Sequence, residues 1–430
     1  MGRLLGELGS VPVDRAALLA RRFAGTTQAD PLWLAGDCYL TEDGHLPWLE
    51  PVQFAHERLA RFRPSSGPGP VRGDPAFHAE LARMVYGAAP PMDRLAAATS
   101  AGTEGALRLC MDLFRKTRPD LRVWLPAPGA RRHALQLRGL GVPTLAYAYA
   151  EADGSRLALG PMLSDLGQCR PGDVMLLQGF GHDPTGLDLP AEIWGALAGI
   201  CTDTGAVPVV DLSAPGLARA IAKDMDGVQS LLIAVPEAAL LLGLGSSFGL
   251  DRDRPGALIV QAETPLEACR ARLCLDNLVR FDLGVLPDRG ARLVCELLHA
   301  ADLRQVWEDE LRAMRMRLTE RRAALAEALG KAAPGGDWAG LGGGAGLFAL
   351  LPLSPHQTDL MWKSHGIQLA EDGRLNISAL PARAVERLAA ATADCLQAPK
   401  TAPLPAPAAE AAEPPPEVAG REAPGDREAS

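Results

Sequence analysis

Residues 173–211 read DVMLLQGFGHDPTGLDLPAEIWGALAGICTDTGAVPVVD, in which two short apolar runs flank a helix-like stretch. The runs at 173–177 and 207–210 have the length and composition of buried strands, and the stretch at 191–201 has the apolar spacing of a helix. A strand, a helix and a second strand in succession predict parallel neighbours joined by a crossover. The segment therefore predicts a sheet that is covered by helices on both faces.

The same alternation extends to both sides of this segment. Further apolar runs at 121–125 and 257–260 predict strands, and residues 265–276 predict a helix. After residue 288 the apolar residues follow i, i+3, i+4 spacing, and a Gly-rich turn at 342–346 then leads into a strand, LFALLPL. We therefore predict an α/β fold, with a large domain around a mostly parallel sheet and a smaller α+β domain built from both chain ends.

This pattern gives a division of the chain into four parts. Residues 1–48 are predicted to be the N-terminal segment of the small domain, 49–290 the large α/β domain, and 291–396 the C-terminal part of the small domain. Residues 397–430 are rich in Pro, Ala and Glu and contain almost no large apolar side chain. Such a composition cannot bury enough surface to offset the entropy of ordering, so a disordered tail is predicted there.

Composition excludes several classes of protein. The 430 residues carry a net charge of -9 and no Lys/Arg-rich stripe, which argues against a nucleic-acid partner. No apolar run approaches the roughly 20 residues of a membrane span, and residues 1–23 lack the apolar core of a signal peptide. The eight cysteines are scattered without a CxxC pair, as in a reduced cytoplasmic protein. We predict a cytoplasmic location.

Seven segments in chain order carry a resemblance to one family. They are LAGDCYLTEDGHLP (34–47), SAGTEGALRL (100–109), GFGHDPTGLD (179–188), VPVVDLSAPGLAR (207–219), SSFGLDRDRPGA (246–257), NLVRFDLGVLPDRGA (277–291) and EDGRLNIS (371–378). Together they resemble the aspartate/aromatic aminotransferases, which have the pyridoxal-phosphate fold type I. The resemblance covers roughly residues 10–396 and implies that fold, a pyridoxal-phosphate site and a dimer.

The resemblance assigns cofactor contacts to several positions. Asp211 matches the carboxylate that pairs with the pyridine nitrogen, and the resemblance gives His133 as its support. Thr103 and Glu104 stand at the phosphate, where Glu104 replaces a family threonine and its charge would repel the phosphate. Arg254 matches the phosphate arginine. Two alternatives stay open: Asp211 as a turn or helix-capping residue, and Arg254 as an ion-pair partner of neighbouring aspartates.

Two replacements change the predicted chemistry. Asp183 occupies the place of the family asparagine that holds the ring hydroxyl; an ionised acid cannot donate that hydrogen bond, although Asp before Pro is also ordinary turn chemistry. Ser246 occupies the place of the lysine that forms the Schiff base. A serine hydroxyl forms no imine and cannot shuttle the substrate proton, so no catalytic residue is predicted. The chain has five lysines, and none is predicted to replace the missing one.

Further family contacts are altered, while the substrate-binding arginines are kept. The ring-stacking tryptophan would fall at Ala130, a hydroxyl-binding tyrosine at Ala214, the tyrosine lent by a second subunit near Pro68, and a substrate-site glycine at Asp37. Arg374 with Asn376 matches the clamp on the substrate α-carboxylate, and Arg280 matches the residue that reaches a distal carboxylate across a dimer. Alternatively, each arginine pairs with an acid of the pocket.

Three functions follow from these residues. The first is a degenerate pseudoenzyme that acts as a regulatory or scaffold partner, in a homodimer or in a heterodimer with an active relative, with cofactor binding weak or lost. The second is a non-catalytic sensor of an amino acid or dicarboxylate. The third is an active pyridoxal-phosphate-dependent transaminase of aspartate or aromatic amino acids. No metal site is expected.

Overall fold

The computed structural model describes residues 14–61, 67 and 69–400. Its strands are β1 (Leu32–Trp33), β2 (Leu95–Ala101), β3 (Val123–Ala127), β4 (Thr144–Ala148), β5 (Val174–Gln178), β6 (Val207–Ser213), β7 (Ala238–Gly243), β8 (Pro255–Gln261), β9 (Phe348–Leu350), β10 (Ile367–Gln368) and β11 (Arg374–Asn376). The predicted disordered tail, residues 397–430, falls mainly on residues 401–430, which lie outside the described residues.

Helices connect and cover these strands. They are α1 (Arg15–Ala24), α2 (Glu50–Arg61), α3 (Pro75–Tyr86), α4 (Gly102–Phe114), α5 (Arg131–Gly139), α6 (Leu159–Leu166), α7 (Ala191–Thr204), α8 (Ile221–Ala234), α9 (Gly245–Phe248), α10 (Pro265–Asp282), α11 (Arg289–His299), α12 (Ala301–Ala332), α13 (Ala339–Gly343), α14 (Pro355–His365) and α15 (Val385–Gln397). No helix in the described part of the chain is long and apolar enough to span a membrane.

A seven-stranded sheet in the order β2-β8-β7-β6-β5-β3-β4 forms the centre of the molecule. Only β8 runs against its neighbours, β2 and β7, and the other pairs are parallel. On β7, Leu240 and Leu242 belong to one apolar cluster, whereas Ala239 and Leu241 belong to another. Because alternate side chains of a strand point to opposite faces, both faces of this sheet are buried. The predicted fold class is confirmed.

The strands and helices that were expected within the sheet region are present, with ends that differ by a few residues. The helical stretch expected after residue 288 is present but divides into α11 and α12, because Ala300 adopts an extended conformation between them. One small sheet, β1 with β10, joins the N-terminal and C-terminal parts of the chain, and a second, β11 with β9, lies within the C-terminal part. The proposed domain boundaries stay a prediction.

The long helix α12 connects the smaller sheets with the site region. Its Trp307 is fully buried, stacks on Phe248 with ring centroids 4.3 Å apart, and donates a hydrogen bond from Nε1 to the Ser247 carbonyl at 2.8 Å. An aromatic pair with a satisfied indole N–H is a rigid contact. It therefore fixes the short helix α9, which lies directly after β7 and carries Ser246.

Candidate active site

The carboxyl ends of β2, β5, β6 and β7 lie at one edge of the sheet, where loops leave a cavity of about 200 Å³. Such an edge is the usual ligand-binding position in open α/β sheets. The residues that line the cavity are Asp37, Cys38, Gly102, Thr103, Glu104, Arg132, Gln178, Phe180, Gly181, Asp183, Asp211, Ser213, Ala214, Leu217, Ala218, Gly243, Gly245, Ser246, Asp251, Arg254, Pro255, Gly346, Leu347 and Phe348.

Asp211 is the most tightly held carboxylate of this cavity. Its Oδ1 accepts hydrogen bonds from the backbone N–H and the hydroxyl of Ser213, and its Oδ2 lies 2.9 Å from His133 Nε2. Arg132 Nη2 also donates to Oδ2 at 2.9 Å. Burial alone would raise the pKa of Asp211, but Arg132, His133 and Ser213 outweigh it and hold the pKa below its usual range.

Arg132, in the first turn of α5, is the site residue that sequence reasoning missed. Its Nη1 donates to Asp183 Oδ2 at 2.6 Å while its Nη2 donates to Asp211, so one guanidinium bridges two buried carboxylates. Burial works against its charge, yet Asp211, Asp183 and Glu104 together raise the pKa of Arg132 above its usual value. The available signal was the arginine pair, residues 131 and 132, directly before His133.

The loop after β5 places Asp183 at the wall of the cavity. Its backbone N–H donates to Gln178 Oε1 at 3.0 Å, and its side chain is 6% exposed. Besides Arg132, Arg374 Nη1 lies 3.5 Å from Asp183 Oδ2. Asp183 thus lies between two guanidinium groups, and its carboxylate is not free to contact a ligand alone.

The N-terminus of α4 forms a second wall, which an ion pair covers. Gly102 has a φ of +67°, and a Cβ there would lie 3.1 Å from Arg254 Nη2 and 3.2 Å from Glu104 Oε2, so glycine suits both the backbone and the space. Arg254 Nη2 donates to Glu104 rather than to the neighbouring aspartates. Thr103 Oγ1 lies 3.4 Å from the Ser213 hydroxyl oxygen. The charge of Arg254 is therefore balanced by Glu104, in an ion pair whose side chains are 51% and 40% exposed.

Ser246 lies at the floor of the cavity in α9. Its hydroxyl donates to Asp251 Oδ1 at 3.0 Å. Burial raises the pKa of the Asp251 carboxyl, and burial followed by Asp251 and Asp37 raises the pKa of the Cys38 thiol to about 11. The floor thus contains a hydroxyl, a carboxyl group and a protonated thiol.

The substrate arginines suggested by the resemblance lie in different surroundings. Arg374 Nη2 donates to Asp37 Oδ1 at 2.6 Å, and Asn376 Nδ2 donates to the Cys38 carbonyl at 2.7 Å, which joins β11 to the segment 35–38. Arg280 is exposed on α10 and does not line the cavity of this chain. Its expected contact across a dimer stays a prediction.

The resemblance assigns aromatic side chains of the family to three positions of this chain, and two of these positions lie in the described residues. Ala130 is buried at the start of α5, and Ala214 lines the cavity with a φ of 55°. Pro68 lies outside the described residues. All five lysines are in the described part of the chain, and none lines the cavity; Lys223, for example, pairs with Asp226 on the surface.

Comparison with known proteins identifies the family to which this fold belongs. Residues 29–391 match the family model described as aminotransferase class I and II. The chain belongs to this family. An aromatic-amino-acid aminotransferase of Pseudomonas aeruginosa is 31% identical over 390 residues, which cover 90% of this chain and 98% of that protein. A tyrosine aminotransferase of Rhizobium meliloti is 32% identical over 345 residues, covering 80% and 87%.

Solved aminotransferase structures have the same fold. An aromatic-amino-acid aminotransferase from Burkholderia pseudomallei, covalently bound to pyridoxal phosphate, superposes with a TM-score of 0.88 at 26% identity and covers 92% of this chain and 100% of its own. An aromatic amino acid aminotransferase with 3-indolebutyric acid has a TM-score of 0.87 at 28% identity, covering 91% and 100%. The type I aminotransferase fold expected from the sequence is therefore confirmed.

Proposed function

We propose that this family member does not catalyse transamination and acts as a regulatory or scaffold partner. The proposal rests on one observation: none of the residues that line the cavity is a lysine, and Ser246, which the resemblance assigns to the position of the family lysine, lies on the cavity floor after β7. Without an amine the protein has no covalent attachment for a carbonyl cofactor and no amine base for the substrate proton.

The cavity also does not fit pyridoxal phosphate well. Five carboxyl groups line it (Asp37, Glu104, Asp183, Asp211 and Asp251), against the two guanidinium groups of Arg132 and Arg254. A phosphate dianion would meet Glu104 at the α4 terminus, and a pyridine nitrogen could reach Asp211 only by displacing Arg132. We therefore propose that cofactor binding is weak or lost.

The second candidate is an active pyridoxal-phosphate-dependent transaminase of aspartate or aromatic amino acids. The relatives favour it over the first candidate, because those matched over most of their length are named aspartate, tyrosine or aromatic-amino-acid aminotransferases. It requires a base other than a lysine of the cavity. Cofactor binding distinguishes the two candidates.

We expect titration of the purified protein with pyridoxal phosphate to give no stoichiometric absorbance band beyond that of the free cofactor, because none of the cavity-lining residues is a lysine that could form the coloured imine. We also expect no saturable quenching of tryptophan fluorescence at micromolar cofactor, since acids surround the phosphate position. The Pseudomonas aeruginosa relative, prepared as apoprotein, is the positive control. A stoichiometric band with this chain would support the active transaminase and contradict the proposed function.

The ion pairs of Arg374 and Arg254 favour a scaffold function over the binding of an amino acid or dicarboxylate as a sensor. Arg374 contacts Asp37 and Asp183, and Arg254 contacts Glu104, so neither presents an unbalanced charge to a carboxylate ligand. A dicarboxylate would have to break these ion pairs and would then face the released acids. The sensor alternative therefore requires a rearranged pocket.

A second copy of this chain is the partner we propose. Several large apolar side chains are exposed, among them Trp48 at 79% and Phe281 at 81%, and contiguous exposed apolar surface marks interaction sites. Trp48 and Arg289 line one surface cavity, and the exposed residues Phe281, Leu283 and Val285 precede Arg289 in the chain. A homodimer in the cytoplasm would bury this surface.

We expect light scattering after size-exclusion chromatography to give about twice the 45.3 kDa chain mass. Replacing Trp48 and Phe281 by Glu should shift the protein toward the monomer, because two charges would be buried at the interface. Leu135→Glu, at another exposed apolar position on α5, is the matched control and should leave the mass unchanged. A wild-type monomer at micromolar concentration would contradict the homodimer and leave the heterodimer with an active relative.

A further inference from the structure

The Arg132 side chain lies where two cavities meet. It lines the inner cavity of about 200 Å³ described above and also an outer cavity of about 430 Å³, which α1 and β11 border through Arg15 and Arg374. Asp37 and Asp183 also line both cavities. The boundary between the cavities is therefore formed by ion pairs, in which Arg132 joins Asp183 to Asp211.

The geometry around Arg132 is that of a guanidinium site. Its two Nη atoms donate to different carboxylates, Asp183 at 2.6 Å and Asp211 at 2.9 Å, whose side chains are 6% and 1% exposed. Its Nε lies 3.9 Å from Glu104 Oε1. A planar cation with diverging N–H groups suits two separated carboxylates better than an ammonium group does.

The two carboxylates are fixed independently of Arg132. Asp211 Oδ1 is held by Ser213 on the same strand, and the Asp183 backbone is held by Gln178 at the end of β5. Asp211 Oδ2 also lies 2.9 Å from Nε2 of His133, which is on α5 next to Arg132, and Asp183 Oδ2 lies 3.5 Å from Arg374 Nη1. Removal of the Arg132 side chain would therefore leave both acids in place with these other partners, and would take away the one cation that lies between the two carboxylates.

We propose that the pocket is a guanidinium-binding site that the chain occupies with its own Arg132, which closes the passage between the two cavities. This inference rests on the proposed function, because both assume that the pocket does not bind the cofactor. An external ligand of the same chemistry, a small guanidinium or amidinium cation, should bind when the side chain is shortened. The wild-type pocket should be closed to such ligands.

The test uses Arg132→Ala in the full-length protein, with methylguanidinium chloride as the probe. We expect the variant to melt several degrees below wild type, and millimolar methylguanidinium to restore part of the loss with a saturable dose response. Sodium chloride at equal ionic strength should not restore it. Arg138→Ala, at an exposed position of the same helix, is the matched control and should show neither the loss nor the recovery.

Each outcome distinguishes this inference from the proposed function. No response of Arg132→Ala to methylguanidinium, or an equal response of Arg138→Ala, would overturn the inference. Saturable binding of pyridoxal phosphate to Arg132→Ala, without methylguanidinium binding, would also overturn it. The proposed function would stand in that case if wild type still failed to bind the cofactor. Cofactor binding by wild type would contradict the proposed function itself.

A measurement on the wild type keeps the inference testable if Arg132→Ala does not fold. Nitrogen NMR of arginine side chains should show slow rotation about the Cζ–Nε bond for the Arg132 guanidinium, because two carboxylates hold its two ends. The signal should be assigned by its loss in Arg132→Lys, which retains the positive charge. Fast rotation of the Arg132 guanidinium would contradict its role as a fixed occupant.

Discussion

Neither the wild-type protein nor Ser246→Lys is expected to transaminate aspartate or aromatic amino acids at a useful rate. Enzymes commonly turn over at ~10 per second, and we expect less than about a thousandth of that for both proteins. The wild type has a serine at position 246 and no lysine among the residues that line the cavity. In the variant, the new ammonium group would lie near Asp251, whose Oδ1 is 3.0 Å from the Ser246 hydroxyl. A nearby carboxylate raises the pKa of a lysine, which opposes imine formation near neutral pH.

The assay is a coupled measurement of oxo-acid formation with added pyridoxal phosphate. The aromatic-amino-acid aminotransferase of Pseudomonas aeruginosa serves as positive control, and its own variant with the lysine replaced by serine is the matched negative. The double variant Ser246→Lys/Arg132→Ala tests whether the occupied pocket adds to the defect. Turnover by Ser246→Lys within about tenfold of the ordinary median would mean that only the lysine was lost.

Replacing Arg322 by Met is expected to destabilise the protein by about 3 kcal/mol or more, because buried carbonyl groups would lose their donor. Arg322 on α12 is 1% exposed, and its Nη2 donates to the carbonyls of Ala345 (2.9 Å), Gly346 (3.0 Å) and Phe348. Burial lowers the pKa of Arg322 to about 10. These carbonyls belong to the segment that covers the inner cavity, so the loss should loosen that wall.

Thermal unfolding of Arg322→Met beside Arg304→Met checks this expectation. Arg304 is a surface residue of the same helix that pairs with Glu308, and such exposed pairs contribute ~0–1 kcal/mol. Arg322→Lys should fall between the two, since one ammonium group cannot reach all of the carbonyls. Equal melting temperatures for Arg322→Met and wild type would show that the segment finds other donors.

The sequence predicted the fold because its signals are local. Apolar runs such as 207–210 correspond to strands, and the alternation of strands and helices gives a parallel sheet covered on both faces. The family segments that surround Asp211 and Ser246 gave the fold type, which the comparisons confirm, and placed both residues at one site. The break at Ala300 escaped prediction because apolar spacing continues across it.

The sequence by itself determined that position 246 is a serine and that acids such as Asp183 and Asp211 lie near the cavity. Both follow from residue types at positions in the segments that resemble the family. The tertiary structure decided which charged and polar groups contact each other. Arg132 reaches Asp183 and Asp211, which lie 51 and 79 residues away, and Arg322 occupies an apolar stripe of α12 to reach carbonyls beyond residue 344. Ion pairs between side chains distant in sequence depend on how helices pack against the sheet, and no local pattern encodes that packing.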